Sequence, residues 1–236
     1  MLSLVLVTGH RGAAGLEPEN TLRAVKRAMK LGVDQVEIDV RLTRDGHLVV
    51  IHDEKVHRTT NGHGRVSEFT LEEIKKLDAG KGESIPTLKE VLELVKGRIR
   101  VQIELKERGI EKKVVRLVEA EGMVSDVTVT SFFHEAVKRV KEVNRNVETG
   151  VLFVCSPIKG WQLAIDALAD ALHPNVEYVT PGMIEEAHRR GLKVKVWNTE
   201  DADEIRRLID MGVDAIGSDK PDIVLRVLRE IEQEAH

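Results

Sequence analysis

Residues 36–53 read VEIDVRLTRDGHLVVIHD. Val36, Ile38 and Val40 alternate with Glu37, Asp39 and Arg41, the period of two that marks a strand with one apolar face. The opposite face carries two carboxylates, Glu37 and Asp39. Asp45-Gly46 is a favoured pair for a two-residue type I′ turn. That turn predicts a hairpin in which Arg44 faces His47 and Asp39 faces His52. A histidine is thereby brought back across from a carboxylate pair.

Outward from this stretch, strand-like and helix-like segments alternate. Strands are expected at Leu4–Thr8, Asp34–Arg41, Ile99–Lys106, Val127–Ser131, Val147–Phe153, near Leu172, at Lys193–Trp197 and at Ala215–Gly217. Helices are expected at Thr21–Leu31, Leu88–Val95, Ile110–Glu121, His134–Val143, Ile158–Asp170, Pro181–Arg190, Asp201–Met211 and from Pro221 onward, where the final residues should fray. Pro18 and Asn20 read as stop and cap for the first helix, and Gly191 closes the helix opened by Pro181. Strict βα alternation implies a parallel sheet, and eight such units over this length imply a (β/α)8 barrel rather than an open sheet. No linker marks a second domain, so residues 1–236 read as one catalytic barrel. Segment 53–85 is too long for an ordinary connection and reads as a functional insertion.

Hydrophobic residues make up 42% of the 236-residue chain and aromatics only 3%, so the core must be aliphatic. A formal charge of −4 argues against a nucleic-acid binder, which carries a basic stripe. The lone cysteine, Cys155, excludes an intrachain disulfide and reads as a small buried residue. The opening MLSLVLVTGH lacks a basic leader and has too short an apolar run for a signal peptide or membrane span. A cytoplasmic protein with no stable membrane insertion is expected.

In a (β/α)8 barrel the C-terminal strand ends surround the active site. The first strand runs into Thr8-Gly9-His10-Arg11-Gly12, and the second carries Glu37 and Asp39. The third strand turns Val101, Ile103 and Leu105 outward and Gln102, Glu104 and Lys106 inward. The seventh turns Val194 and Val196 outward and Lys195 and Trp197 inward. Alternating acids on a strand otherwise read as a solvated face, but a parallel barrel strand is covered on both sides. Three carboxylates in one mouth repel unless neutralised, and a hard divalent cation, Mg²⁺ or Ca²⁺, suits oxygen ligands. Zinc fits less well, with acids outnumbering histidines and no His-x-x-x-His spacing. Lys106 either pairs with Glu104 or reaches substrate, and Trp197 reads equally as core or as substrate wall. His47, His57, His63, His134, His173 and His188 read as surface or loop residues. Two histidines beside such acids suit phosphoryl chemistry, because an imidazole can hold or release a proton near neutrality.

Taken together, HRGAAGLEPENT (residues 10–21), VEIDVRLTRDGHLVVIHD (36–53), HRTTNGHGRVSEFTLEEIKKLDAG (57–80), IPTLKEVLEL (85–94), IELK (103–106), VKVW (194–197) and GVDAIGSDKPD (212–222) resemble the glycerophosphodiester phosphodiesterase family. The resemblance implies a (β/α)8 barrel with an insertion after its second strand. It implies His10 and His52 as an acid–base pair, and Glu37, Asp39 and Glu104 as ligands of one divalent cation. It further implies Arg11 and Lys106 at the phosphate and Trp197 as a wall for the glycerol or alcohol. The implied reaction hydrolyses a small glycerophosphodiester to an alcohol and glycerol phosphate. Asn198-Thr199-Glu200 departs from the Thr and Asn usual after the tryptophan, and Ser218 replaces a common Thr. Lys195 is expected to pair with an acid in the bore. Two alternatives accompany this reading: a lysophospholipase D-like enzyme on the same site, disfavoured by the polar insertion, and a phosphodiester-binding module without turnover.

Overall fold

A computed structural model describes residues 5–234. Nine strands form one sheet: β1 (Leu6–Gly9), β2 (Gln35–Leu42), β3 (Leu48–Val50), β4 (Arg100–Leu105), β5 (Val127–Ser131), β6 (Glu148–Phe153), β7 (Ala171–Pro174), β8 (Lys193–Val196) and β9 (Ala215–Ser218). All but β3 run parallel, and pairing of β1 with both β2 and β9 closes them into the expected eight-stranded barrel. The first expected strand residue, Leu4, and the last two residues of the chain lie outside the described part.

The α-helices are α1 (Leu22–Leu31), α2 (Leu71–Ile74), α3 (Leu88–Val95), α4 (Glu111–Ala120), α5 (His134–Val143), α6 (Gly160–Asp166), α7 (Pro181–His188), α8 (Ala202–Met211) and α9 (Pro221–Glu234), with short 3-10 turns between some elements. Apart from α2, each follows a barrel strand and buries an aliphatic face against the sheet. Side-chain caps on orphan N–H groups set the starts of α1, α2, α3, α7 and α8, whereas α4, α5 and α6 begin without one. Thr87 accepts from Glu90 while Glu90 reaches back, and Asp201 caps α8. Thr21, not Asn20, caps α1. The α6 helix is shorter than expected, because Leu168 turns to positive φ. Among the described residues, no helix is long and apolar enough to cross a membrane.

The hairpin forms one residue out of the expected register. Val40, Arg41 and Leu42 pair with Val50, Val49 and Leu48, so Ile51, not His52, bonds to Asp39, its N–H donating to the Asp39 carbonyl at 3.0 Å. A type I′ turn needs positive φ at both central residues, and here only Gly46 takes it, at +83°. Asp45 accepts from the Thr43 hydroxyl at 2.6 Å and from the Leu71 N–H at 3.1 Å. These bonds favour a three-residue loop over the two-residue turn. The ladder therefore ends at Val50, and His52 reaches the barrel mouth from the bend beyond it.

The insertion folds around its own apolar cluster of Val49, Ile51, Val56, Val66, Ile74, Ala79 and Ile85, with Phe69, Leu71 and Leu77 packed against it. Cys155, expected to be buried, is exposed. It follows the end of β6, where strand alternation no longer turns residues inward.

The bore is polar low down. Lys195, 2% exposed, donates to Glu148 Oε1 at 2.7 Å, the acid expected for it. Arg100 and Lys193 also reach Glu148, at 2.7 and 3.3 Å. Burial opposes the Glu148 charge, but Lys195 and its companions outweigh it and hold the carboxyl at about 2. Lys195 is buried more deeply and has one acid, so burial prevails and its pKa falls.

Glu148→Gln leaves the Lys195 ammonium without its carboxylate, and chemical denaturation at pH 7 should register a loss of roughly 3–5 kcal/mol. The folded carboxyl titrates below its ordinary 4.5, so its contribution is complete above that pH and fades as pH falls toward 2. The stability profile of the variant should be correspondingly flatter across that window.

Candidate active site

At the C-terminal end of the barrel, β2 supplies Glu37 and Asp39 and the neighbouring β4 supplies Glu104. Parallel pairing makes Asp39 and Glu104 Cα partners. One oxygen from each of the three acids lies within 4.8 Å of the others, and all three residues are buried. Glu37 Oε1 and Asp39 Oδ1 are buried without a hydrogen-bond partner. Three buried carboxylates with lone pairs free of hydrogen bonds match the donor set of a hard divalent cation.

The acids do not ionise alike. Burial first, then the charge of Asp39, pushes Glu37 up to about 8 and Glu104 to about 7. Burial opposes ionisation of Asp39 too, but Lys106, Arg11 and His52 overcome it and lower its pKa. Asn20, expected only as a cap, takes φ +57° and clamps Asp39: its amide donates to Oδ2 at 2.8 Å, and its carbonyl oxygen accepts from the Asp39 N–H at 3.1 Å.

Two histidines flank the triad. His10 Nδ1 meets Asp219 Oδ1 at 2.6 Å, and His52 Nδ1 meets Asp53 Oδ1 at 2.6 Å. Each carboxylate accepts the Nδ1 proton and leaves Nε2 as the free nitrogen; on His10 that atom stands 3.8 Å from Glu37 Oε2. Their pKa values part. Burial works against the charge on His10, but Asp219 and Glu37 prevail and raise it above 6.5. Burial lowers His52, where Lys106 and Arg11 offset the help of Asp39 and Asp53.

Arg11 takes φ +49°, which turns its N–H onto Glu37 Oε2 at 2.9 Å. Its guanidinium donates to Glu19 at 2.9 Å and lies 3.4 Å from Asp39. Lys106 donates to Glu104 at 2.6 Å and stands 3.6 Å from Asp39. Trp197 donates to the His173 carbonyl at 2.9 Å and meets Phe132 edge-on at 5.6 Å between centroids. Seven of the eight sequence-derived site residues line one cavity of about 210 Å³, and the eighth, Asp39, lies behind it. Lys106 pairs with Glu104 and also lines the cavity.

Four features escaped the sequence reading. His173, read as surface, is buried on β7 and lines the cavity floor. Gly150 makes room for it, since a Cβ there would overlap the imidazole. Its position two residues after Ala171 on an inward face was the available signal. Phe132, two residues past inward-facing Thr130, is another cavity wall. Asp53 and Asp219 are the remaining two: Asp53 adjoins His52 in the chain, whereas a loop brings Asp219 to His10 across 209 residues. The altered seventh loop supports the latter: Asn198 donates to Asp219 Oδ2 at 3.1 Å, and Glu200 accepts from the Asp219 N–H at 3.3 Å.

Residues 10–223 match the model of the Glycerophosphoryl diester phosphodiesterase family. A glycerophosphodiester phosphodiesterase of Caldanaerobacter subterraneus subsp. tengcongensis is 42% identical, covering 95% of this chain and 98% of the relative. The crystal structure of a glycerophosphodiester phosphodiesterase from Agrobacterium tumefaciens str. C58 superposes with TM-score 0.84 at 34% identity, covering 94% of this chain and 99% of that one. An Oleispira antarctica phosphodiesterase solved with the product sn-glycerol-3-phosphate superposes with TM-score 0.87 at 28% identity, covering 95% and 96%. Barrel, acidic mouth and relatives together define a phosphoric diester hydrolase. The chain belongs to the glycerophosphoryl diester phosphodiesterase family.

Asp219→Asn removes the negative charge that favours the His10 imidazolium and leaves only a weaker, neutral acceptor for Nδ1. In the metal-free protein, an NMR titration should show the His10 midpoint moving down while that of His52 stays in place.

Proposed function

We propose that the chain hydrolyses small glycerophosphodiesters, such as glycerophosphocholine and glycerophosphoethanolamine, to an alcohol and glycerol phosphate in the cytoplasm. The observation that carries this reading is the pair of carboxylate-backed imidazoles flanking one buried triad of acids. The Oleispira relative, whose structure holds sn-glycerol-3-phosphate, supports the choice of substrate class.

In this reading Glu37, Asp39 and Glu104 hold one divalent cation, Mg²⁺ or Ca²⁺, with Mn²⁺ also suited to the oxygen donors. When bound, the cation neutralises charge on the non-bridging phosphoryl oxygens. Arg11 and Lys106 orient the phosphate from the cavity side and share that neutralisation. One of His10 and His52 accepts the proton of the attacking group, a neighbouring glycerol hydroxyl or water. The other donates a proton to the departing alkoxide, so the alcohol leaves neutral. If the glycerol hydroxyl attacks first, a cyclic phosphate forms and water opens it with the proton roles reversed. Trp197 and Phe132 wall the cavity against bulk water and pack on the carbon skeleton.

Chelator-stripped protein should release no glycerol phosphate from either diester, and Mg²⁺, Ca²⁺ or Mn²⁺ should restore release. His10→Ala and His52→Ala should each lower kcat by about 10²–10⁴-fold. A full complement of cations without any release from either diester would refute the assignment.

A second substrate class is favoured by one observation. Phe132, Val154 and Ile158 are exposed, Ile158 entirely so, in the segments after β5 and β6. An apolar rim of this kind suits the acyl chain of a lysophospholipid, although the insertion itself is polar. Ile158→Asp should then reduce turnover of lysophosphatidylcholine several-fold and leave that of glycerophosphocholine unchanged; equal effects on both would remove the rim from substrate recognition.

A further inference from the structure

The insertion delivers one side chain to the mouth whose bonds join both halves of the site. Arg58 closes the short 3-10 turn Val56–Arg58, and the fully buried Val56 anchors that turn in the cluster of the insertion. Its guanidinium grips two carboxylates at once. Nε and Nη2 donate to Asp53 Oδ2 and Oδ1 at 2.6 and 3.0 Å. Nη1 and Nη2 donate to Glu19 Oε2 and Oε1, each at 2.8 Å. Asp53 is the acid that holds His52, and Glu19 is the acid that holds Arg11.

A guanidinium has five N–H groups in a rigid fork, and four hydrogen bonds here go to carboxylate oxygens. Arg58 is thus nearly saturated and has little left for a ligand. The two carboxylates are equally committed, since Asp53 Oδ1 serves both His52 and Arg58, and Glu19 Oε1 serves both Arg11 and Arg58. Without a cation between them, the acids would repel and each would be free to rotate away from its partner. Isolated surface ion pairs are worth little, but paired bidentate forks in a network are the recognised exception.

We propose that Arg58 is a positioning residue that fixes the His52 imidazole and the Arg11 guanidinium relative to each other through Asp53 and Glu19. The inference rests on the reading of His52 and Arg11 given above. Its consequence is that seating of the insertion on the barrel and alignment of the site are one event. Misplacement of reacting groups by about 1 Å can cost 10²-fold in rate.

The test is steady-state hydrolysis of glycerophosphocholine with saturating Mg²⁺ by wild type, Arg58→Met and Arg58→Lys, and by the same Met change in an Asp53→Asn/Glu19→Gln background. Wild-type turnover is the control for the proposed function: its absence would count against that reading and not against this one. With an active wild type, Arg58→Met should lower kcat at least ten-fold. KM should shift by no more than about three-fold, and thermal melting should show the variant folded. Arg58→Lys should recover only part of the loss, because an ammonium cannot bridge two carboxylates in fixed planes. In the Asp53→Asn/Glu19→Gln background the Met change should cost little more. An unchanged kcat, a large rise in KM at constant kcat, full recovery by Lys, or losses that multiply across the two backgrounds would each overturn the proposal. Should Arg58→Met fail to fold, Arg58→Lys and the Asp53→Asn/Glu19→Gln protein supply the same comparison.

Discussion

Three carboxylates buried at one barrel mouth are the constraint to which the rest of the structure answers. Parallel pairing of β2 with β4 sets Asp39 beside Glu104, with Glu37 two residues back on the same face. Burial first, and then the neighbouring charge of Asp39, raises the proton affinity of Glu37 to a pKa of about 8 and of Glu104 to about 7. Asp39 alone stays readily ionised, because Lys106, Arg11 and Asn20 surround it. A triad in this condition holds protons that a cation can displace, which couples ion binding to proton release.

Around this centre the charges alternate outward. The cationic or protonatable groups at the mouth each have a carboxylate of their own: Asp219 behind His10, Asp53 behind His52, Glu19 behind Arg11, and Glu104 beside Lys106. The same logic recurs lower in the bore, where Glu148 takes Lys195, Arg100 and Lys193. With only 3% aromatic residues, the aliphatic layer between sheet and helices supplies bulk, and hydrogen-bonded ions give the bore its order.

The barrel and the triad were legible because both depend on local periodicity. Val36, Ile38 and Val40 had to face the helices, so Glu37 and Asp39 had to face the bore; the same parity placed Glu104, Lys106, Lys195 and Trp197. What was not legible depended on side chains binding backbone or on loops meeting in space. The hairpin slipped by one residue because Asp45 bonds to Thr43 and to the N-terminus of α2, which no turn propensity encodes. Asp219 lies 209 residues from the histidine it orients. His173 was overlooked because β7 is short and its apolar signal weak, and Cys155 was misplaced because small size is a poor guide to burial past a strand end.

The β3 strand has one more property. Leu48 and Val50 pack into the barrel core, whereas Val49 and Ile51 pack into the cluster of the insertion. These four residues, three of strand and Ile51 just beyond it, thus form a party wall between two hydrophobic compartments, and His52 is hung at its end. Grafting a foreign segment between residues 53 and 85 would strip one side of that wall. A transplanted excursion would therefore have to bring apolar residues fitted to Val49 and Ile51, or carry its own strand, before it could be used to alter what the mouth accepts.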